Sequence, residues 1–325
     1  MNSKLPLGLM LVASLFALQK EIPDWQRQVS AAKTAMDEGR YIDADYIYAG
    51  LVSSLTVSGV SDIRLAFVLA HLALARIAEG EHIEASGLLH RSVAALTADS
   101  AVRPENAAAT WQVIGTCFYY QQQYAGAERA YGKALDLLQK SESSDSRAII
   151  DLLSNLGSTY QIEHRNRDAA AAFDRAIALA ENMREIPVYL RASLLNNAAV
   201  LDRSSGRHEE ARTALETALH LIESSSDGDV VTIVHIQNNL ALEYMEQKRY
   251  KTAVELFSEA VDRIRAGSAL PRADVVQILH HYAQCQRKLD KKELPRIEAQ
   301  SRAILSTYPA QQSGDRVIDA TFLSK

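Results

Sequence analysis

Residues 111–134 read WQVIGTCFYYQQQYAGAERAYGKA and contain two helical patterns separated by a short polar break. In the first pattern, WxxIGxxF (111–118), the apolar and small residues follow the spacing i, i+3, i+4, i+7, which places them on one face of an α-helix. In the second pattern, AxxxYxxA (127–134), small residues flank a large one at the same helical spacing. The break QQQY (121–124) leaves room only for a tight turn. The stretch therefore predicts an antiparallel hairpin of two helices that pack small residues against large ones.

The second of these patterns recurs along the chain at a nearly constant interval. The small residues that open each copy are Ala44, Ala85, Ala127, Ala169, Ala211 and Ala253. The first interval is 41 residues and the next four are 42 residues each, a register that chance does not maintain. A fixed period of this size is the signature of stacked supersecondary units. We therefore predict an all-α fold, a right-handed superhelical solenoid of about seven antiparallel helical hairpins over residues 24–308.

Short turns and small residues fit this interpretation. Gly39, Gly80 and Gly206 fall where the first helix of a hairpin should end in the left-handed conformation. Longer polar linkers such as 97–106, 140–146 and 223–229 separate the hairpins and supply residues that cap helices.

The repeat resembles the tetratricopeptide repeat, whose pattern W-x2-L-G-x2-Y followed by A-x3-F is met closely in the third, fourth and sixth hairpins. Its 42-residue period resembles that of the kinesin-light-chain subtype. That subtype has an Asn-Asn-Leu-Ala signature, which is present here at 238–241 and in part at 196–199. The resemblance implies a concave surface that is lined by the first helix of each hairpin and binds peptides or proteins.

A row of asparagines lies on this predicted concave surface. Asn155, Asn197 and Asn239 occupy the same repeat position at intervals of 42 residues, and Gln112, Asn196 and Asn238 occupy the position before it. An asparagine amide offers a donor and an acceptor together, which matches one peptide unit. The row therefore predicts a site that binds an extended backbone. The alternative is that these asparagines brace neighbouring helices.

Further along the same helices, Tyr119, Tyr120 and Arg203 are candidates for contact with a bound partner. A tyrosine pair on a concave wall suits an apolar anchor side chain of the ligand. The alternative interpretation is that Tyr119 packs into the next repeat.

Composition and motifs exclude several other functions. The net charge is −5 with a pI near 6.0, and acids and bases are interspersed, so no nucleic acid partner is expected. Cys117 and Cys285 lack a CxxC spacing, and the adjacent His280 and His281 point about 100° apart on a helix, so no metal site is expected. No catalytic motif is present. We expect no enzyme activity, no cofactor and no small-molecule substrate.

The N-terminal residues differ from the repeats. Lys4 precedes the apolar run 5–18, and a polar segment follows, which predicts a secretory signal over residues 1–19. The run is shorter than the roughly twenty apolar residues that span a bilayer. Alternatives are a retained membrane anchor formed by residues 5–18 and an ordinary apolar first helix. Residues 309–325 form a C-terminal tail without helical periodicity.

Taken together, these patterns predict an exported interaction scaffold, periplasmic or secreted, that binds a peptide or protein in its concave groove. The alternative is a regulatory or targeting subunit of an envelope-assembly or secretion complex. Membrane association is expected only if the N-terminal segment is retained.

Overall fold

The structure is a computed structural model that describes residues 25–60, 62–98, 102–141, 145–183, 186–225, 229–266, 270 and 272–306. Every regular element within these ranges is helical, so the predicted all-α class is confirmed. The helices fall into two compact units whose boundary lies between Glu163 and His164. The predicted signal segment (1–19) and tail (309–325) lie outside the described residues. No described helix is both long and apolar enough to cross a membrane.

The N-terminal unit contains seven helices in which chain neighbours pack against each other. The pairs α1/α2, α3/α4 and α5/α6 form three of the predicted hairpins, and α3 also packs on α5. The helices are α1 (Trp25–Asp37), α2 (Tyr41–Val57), α3 (Ile63–Ala78), α4 (His82–Ala98), α5 (Pro104–Tyr120), α6 (Tyr124–Lys140) and α7 (Ser146–Ile162).

The C-terminal unit repeats this arrangement with seven α-helices and a short 3₁₀ turn (Lys291–Glu293). Here α9/α10, α11/α12 and α13/α14 form hairpins, and the first helices α9, α11 and α13 pack on one another in order. The helices are α8 (Asn166–Glu181), α9 (Val188–Ser204), α10 (His208–Glu223), α11 (Val230–Glu246), α12 (Tyr250–Arg265), α13 (Arg272–Leu289) and α14 (Leu294–Ser306).

Several first helices begin at a residue suited to satisfy the free backbone N–H groups of a helix start. Asp62 accepts a hydrogen bond from the N–H of Arg64 at 2.8 Å, and Asp229 accepts one from the N–H of Thr232 at 2.9 Å. Asp145 caps α7 in the same way. An N-cap aspartate is typically worth about 1 kcal/mol relative to alanine. These linker residues therefore fix where the helices start.

The turns inside the hairpins use a left-handed residue, as the glycines predict. Gly39, Gly80 and Gly206 have φ angles of 74°, 86° and 77°. Three other turns between successive helices place a residue with a side chain at the same point, and these residues are Gln122, His164 and Lys248, with φ near 60°. The geometry of the turn is thus preserved even where the sequence lacks glycine.

Close helix packing depends on the small residues of the repeat. A Cβ atom added to Gly115 on α5 would lie 2.6 Å from the Cδ1 and Cε1 atoms of Tyr131 on α6. Tyr131 is fully buried, as are Phe173 and Phe257 at the equivalent positions of later hairpins. The predicted packing of small residues against large ones is therefore present in α5/α6.

Candidate functional site

In the N-terminal unit, the predicted tyrosine pair is part of an aromatic cluster. The ring of Tyr119 lies 5.8 Å from that of Tyr120 and 5.8 Å from that of Tyr124, in edge-to-face geometries at 85° and 72°. Tyr119 is buried, whereas Tyr120 and Gln112 are half-buried. Edge-to-face pairs of this kind stabilise packing. Tyr119 therefore packs inside its own hairpin region, and Tyr120 and Gln112 keep some accessible surface.

Asn155, on α7 of the same unit, is the candidate whose polar atoms lack partners. Its side chain is only 2 % exposed, and neither Oδ1 nor Nδ2 has a hydrogen-bond partner among the described residues. Its backbone carbonyl accepts a hydrogen bond from Thr159 Oγ1 at 2.8 Å, as in a regular helix. Buried polar groups are nearly always hydrogen-bonded, so an unmatched amide calls for an explanation.

In the C-terminal unit, the candidate asparagines form a hydrogen-bonded chain across three helices. Asn239 Nδ2 on α11 donates to Asn196 Oδ1 on α9 at 2.8 Å. Asn238 Nδ2 donates to Asn239 Oδ1 at 3.4 Å, and Asn238 Oδ1 accepts from His281 Nδ1 on α13 at 2.9 Å. Asn197, the residue after Asn196 on α9, is also buried. Asn196, Asn238 and Asn239 thus link the adjacent helices α9, α11 and α13 directly.

His281 takes part in this chain as a neutral side chain. Burial lowers its pKa to about 4, and the neighbouring His280 and Arg203 act in the same direction. A ring that is neutral at physiological pH carries one N–H, which the contact with Asn238 Oδ1 places on Nδ1. Among the described residues, no group of three or more His, Cys, Asp or Glu side chains is arranged to hold a metal ion.

Arg203, the last candidate, lies in a charged cluster at the end of α9. Its Nε is 3.5 Å from Oε1 of Glu243, and Oε2 of Glu243 lies 3.0 Å from Nδ1 of His208 on α10. The Glu243 side chain is fully buried, so the guanidinium of Arg203 and the hydrogen bond with His208 offset its desolvation. Burial also lowers the pKa of Arg203, whereas the negative charges of Glu243 and Glu246 act to raise that pKa. Arg203 therefore has an internal partner.

The sequence interpretation missed Glu243 and Gln237, although the repeat register contains a signal for both. Glu243 occupies the position that is Cys117, Thr159, Leu201 or Cys285 in other repeats. Gln237 occupies the position of Trp111, Leu153 and Leu195, and its Nε2 donates to Glu259 at 2.8 Å. A polar residue at a core position of one repeat therefore marks a buried polar contact.

Comparisons with known proteins agree with this architecture. Residues 105–182 and 190–266 match the family described as tetratricopeptide repeat. No curated protein sequence matches the chain significantly. BtubC (BKLC) from P. vanneervenii has a similar structure, with 18 % identity and a TM-score of 0.51 over 76 % of this chain and 98 % of that chain.

Two other solved structures align over more of the chain. The apo form of RapI is 12 % identical, with a TM-score of 0.58 over 88 % of this chain and 77 % of RapI. A signal-transduction ATPase of the STAND class with a tetratricopeptide-repeat sensor, from Pyrococcus horikoshii, is 13 % identical, with a TM-score of 0.57. That alignment covers 93 % of this chain and 45 % of the ATPase. At these identities the similarity concerns the helical-repeat fold alone.

Proposed function

Because this chain is a tetratricopeptide-repeat protein, we propose that it is a non-catalytic scaffold that binds a peptide or protein on the surface of its first helices. Stacked helical repeats present extended surfaces of this kind, and each first helix contributes side chains at a fixed period. The repeat positions account for most of the core, and the buried acid Glu243 is bonded to Arg203 and His208 rather than to a nucleophile.

The unmatched amide of Asn155 carries the binding part of this proposal. A donor and an acceptor without partners among the described residues fit a ligand that supplies a carbonyl and an N–H, which one peptide unit does. Because Asn155 is only 2 % exposed, such a ligand would have to displace the side chains that cover its amide. Asn196, Asn238 and Asn239 differ, because their side chains already bond to one another or to His281. We therefore place the backbone-binding contact at Asn155 and assign these three asparagines a bracing role.

The test compares two alanine variants of the full chain. Affinity capture from an envelope extract of the native host first identifies a reproducible partner, and titration then measures its affinity. Asn155→Ala should weaken binding by about 0.5–1.5 kcal/mol per hydrogen bond lost, or about twofold to thirteenfold for one bond, with little change in stability. Asn239→Ala, as the control, should lower stability and leave the affinity of the folded protein nearly unchanged.

Two results would contradict the binding site. One is a partner that binds Asn155→Ala as tightly as the wild type. The other is an Asn155→Ala variant whose only defect is early unfolding. The absence of any reproducible partner would contradict the scaffold function itself.

We further propose that the chain is exported, on the basis of the cationic and apolar pattern of residues 1–19. The mature protein isolated from its native host should then begin between Leu18 and Lys20. N-terminal sequencing measures this directly. Recovery of intact Met1 in a soluble cytoplasmic fraction would exclude export, and recovery of intact Met1 in membranes would favour an anchor.

A further inference from the structure

Large apolar side chains are exposed at one end of the first two hairpins. Ile42 and Tyr46 lie one turn apart on α2 and are 65 % and 81 % exposed. Ile83, at the start of α4, is 90 % exposed. Since these side chains are largely accessible to water, they add little to the core of the N-terminal unit. Folding alone does not account for their presence.

The other repeats show that hairpin packing does not require an apolar residue here. Ile42 and Ile83 occupy the same repeat position, 41 residues apart. In later hairpins the equivalent residues are Ala125, Arg167, Glu209 and Lys251. The position is therefore free to be polar, and only the first two hairpins fill it with isoleucine.

A cluster of ion pairs joins the two apolar sites. Arg76, at the end of α3, contacts Asp45 of α2 (Nε to Oδ1, 2.5 Å) and Glu84 of α4 (Nη1 to Oε2, 3.1 Å). It also pairs with Glu81. Asp45 directly precedes Tyr46, and Glu84 directly follows Ile83. The Arg76 cluster therefore ties the starts of α2 and α4 to the same ion-pair network. We call the exposed apolar side chains that flank this network, Ile42, Tyr46 and Ile83, the Tyr46–Ile83 surface.

The surroundings of the Tyr46–Ile83 surface are strongly acidic. The segments 38–45 and 76–84 contain six carboxylates and two arginines, which leaves a net charge of −4 with every carboxylate ionised. Burial, together with the nearby carboxylates of Asp45 and Glu81, raises the pKa of Glu79 to about 7. Glu79 Oε1 is buried without a hydrogen-bond partner among the described residues. Within these two segments the carboxylates thus outnumber the arginines.

We propose that the Tyr46–Ile83 surface docks a basic amphipathic segment of a partner protein. Its apolar side chains would pack on Ile42, Tyr46 and Ile83, and its Lys or Arg side chains would face the surrounding carboxylates. Exposed tyrosine at the centre of an apolar patch is typical of an interface anchor. The charge complementarity supplies specificity and fast association.

The negative charge also argues against two other occupants. A two-fold contact between copies of this chain would bring the same acidic rims together, and like charges in an interface are unfavourable. An anionic lipid surface attracts basic rather than acidic segments. The Tyr46–Ile83 surface belongs to the second helices of its hairpins, so it is separate from Asn155 and does not depend on the function proposed for that residue.

The test uses a phage-displayed library of random 12-residue peptides, selected on the full chain and on the double variant Tyr46→Ser/Ile83→Ser. Peptides that only the wild type enriches should be basic and carry at least two large apolar residues. When such peptides are synthesised, their Kd should rise at least tenfold on the double variant and should also rise with ionic strength.

Val57→Ser is the matched control, because Val57 is 86 % exposed at the other end of α2. This variant should bind the selected peptides as the wild type does. All substituted side chains are exposed, so thermal melting of the variants should stay close to that of the wild type.

Several outcomes would overturn the proposal. They are selected peptides that are acidic, peptides that bind the double variant equally well, or a library in which no sequence distinguishes the two proteins. A dimer seen by sedimentation velocity that the double variant abolishes would make a second copy the occupant instead. Binding to vesicles of phosphatidylcholine and phosphatidylglycerol that the double variant abolishes would make it a lipid surface.

Discussion

At the scale of single residues, two buried asparagines at the same repeat position differ in their side-chain hydrogen bonding. Asn239 and Asn155 are equivalent in the repeat, and both are buried. Asn239 donates to Asn196 across two helices, whereas Asn155 has no side-chain hydrogen bond among the described residues. A buried amide stabilises a protein only when its partners are present. Asparagine at this repeat position therefore links two helices in the C-terminal unit but makes no such link in the N-terminal unit.

The Asn239–Asn196 hydrogen bond gives the first prediction at this scale. Asn239→Ala leaves the buried Oδ1 of Asn196 without its donor, so the free energy of unfolding should fall by about 1–3 kcal/mol. Asn196→Ala should have a similar effect, and the double variant should lose less than the sum of the two. Urea unfolding of the four proteins measures this coupling. Strictly additive losses would mean that the hydrogen bond does not stabilise the fold.

Asp151 on α7 gives a second residue-scale prediction, which concerns pH. Its carboxyl is buried, and this burial raises its pKa to about 7, although Arg147 acts in the opposite direction. The folded state thus binds the proton more tightly than the unfolded state, whose pKa is about 3.9. The contribution of Asp151 to stability is therefore most favourable below about pH 4 and is lost as the pH rises to about 7.

Asp151→Asn, which keeps the shape of the protonated acid, should stabilise the protein by about 4 kcal/mol at pH 8 but by only about 1.5 kcal/mol at pH 5, where the folded acid is still protonated. Guanidinium unfolding at both pH values provides the measurement. Burial lowers the pKa of His71 in the same unit to about 4, which produces the opposite slope. The difference between variant and wild type must therefore be compared at each pH. An equal difference at pH 5 and pH 8 would contradict the shifted pKa.

At the scale of elements, the α5/α6 hairpin is held by a close approach of helices that only glycine permits. Gly115→Ala places a methyl group 2.6 Å from two ring carbons of Tyr131, whose ring is fully buried. Overpacking of this kind typically costs about 1–3 kcal/mol. We expect a loss of that size in the free energy of unfolding, measured with guanidinium.

Gly132→Ala on α6 is the matched control for this hairpin. A Cβ at Gly132 would have no neighbour within 4 Å. The substitution should stabilise the helix by about 0.5–1 kcal/mol, because alanine has the higher helix propensity. If both variants changed stability in the same direction, packing against Tyr131 would not be the reason for the glycine.

At the scale of the whole molecule, each unit contains one cysteine that reports on its own core. Cys117 lies in the N-terminal unit and Cys285 in the C-terminal unit, and both are free and buried. Their thiols point to backbone carbonyls, of Ala70 at 3.6 Å and of Tyr250 at 3.5 Å. Burial raises the pKa of both thiols, and that of Cys285 reaches about 12.

Since the thiolate is the reactive form, neither cysteine should react with a thiol reagent at pH 8 while its unit is folded. Both should react within seconds to minutes in guanidinium. Mass spectrometry of the Cys117→Ser and Cys285→Ser variants follows each thiol separately. An exposed cysteine introduced as Val57→Cys in a chain without the other two serves as the positive control. Reaction of either native thiol at the rate of Val57→Cys would show that its unit does not bury it.

The sequence by itself determined the helices, the hairpins and the 42-residue register. These features depend on local spacing, which repeats along the chain, and the structure confirms the all-α class and the hairpins within each unit. Register also pointed to core positions such as Gly115 and Tyr131, because the same small and large residue types recur there. The N-terminal segment and the tail remain sequence predictions.

Only the tertiary structure decided which polar and apolar side chains are partnered. Asn239 and Asn155 have the same local sequence signal, but a hydrogen bond depends on the residue that the neighbouring helix presents, here Asn196 from 43 residues away. The exposure of Tyr46 and Ile83 likewise depends on what packs beside α2 and α4. Local periodicity assigns a residue to a helix face, whereas its contacts depend on residues far away in the sequence that folding brings close.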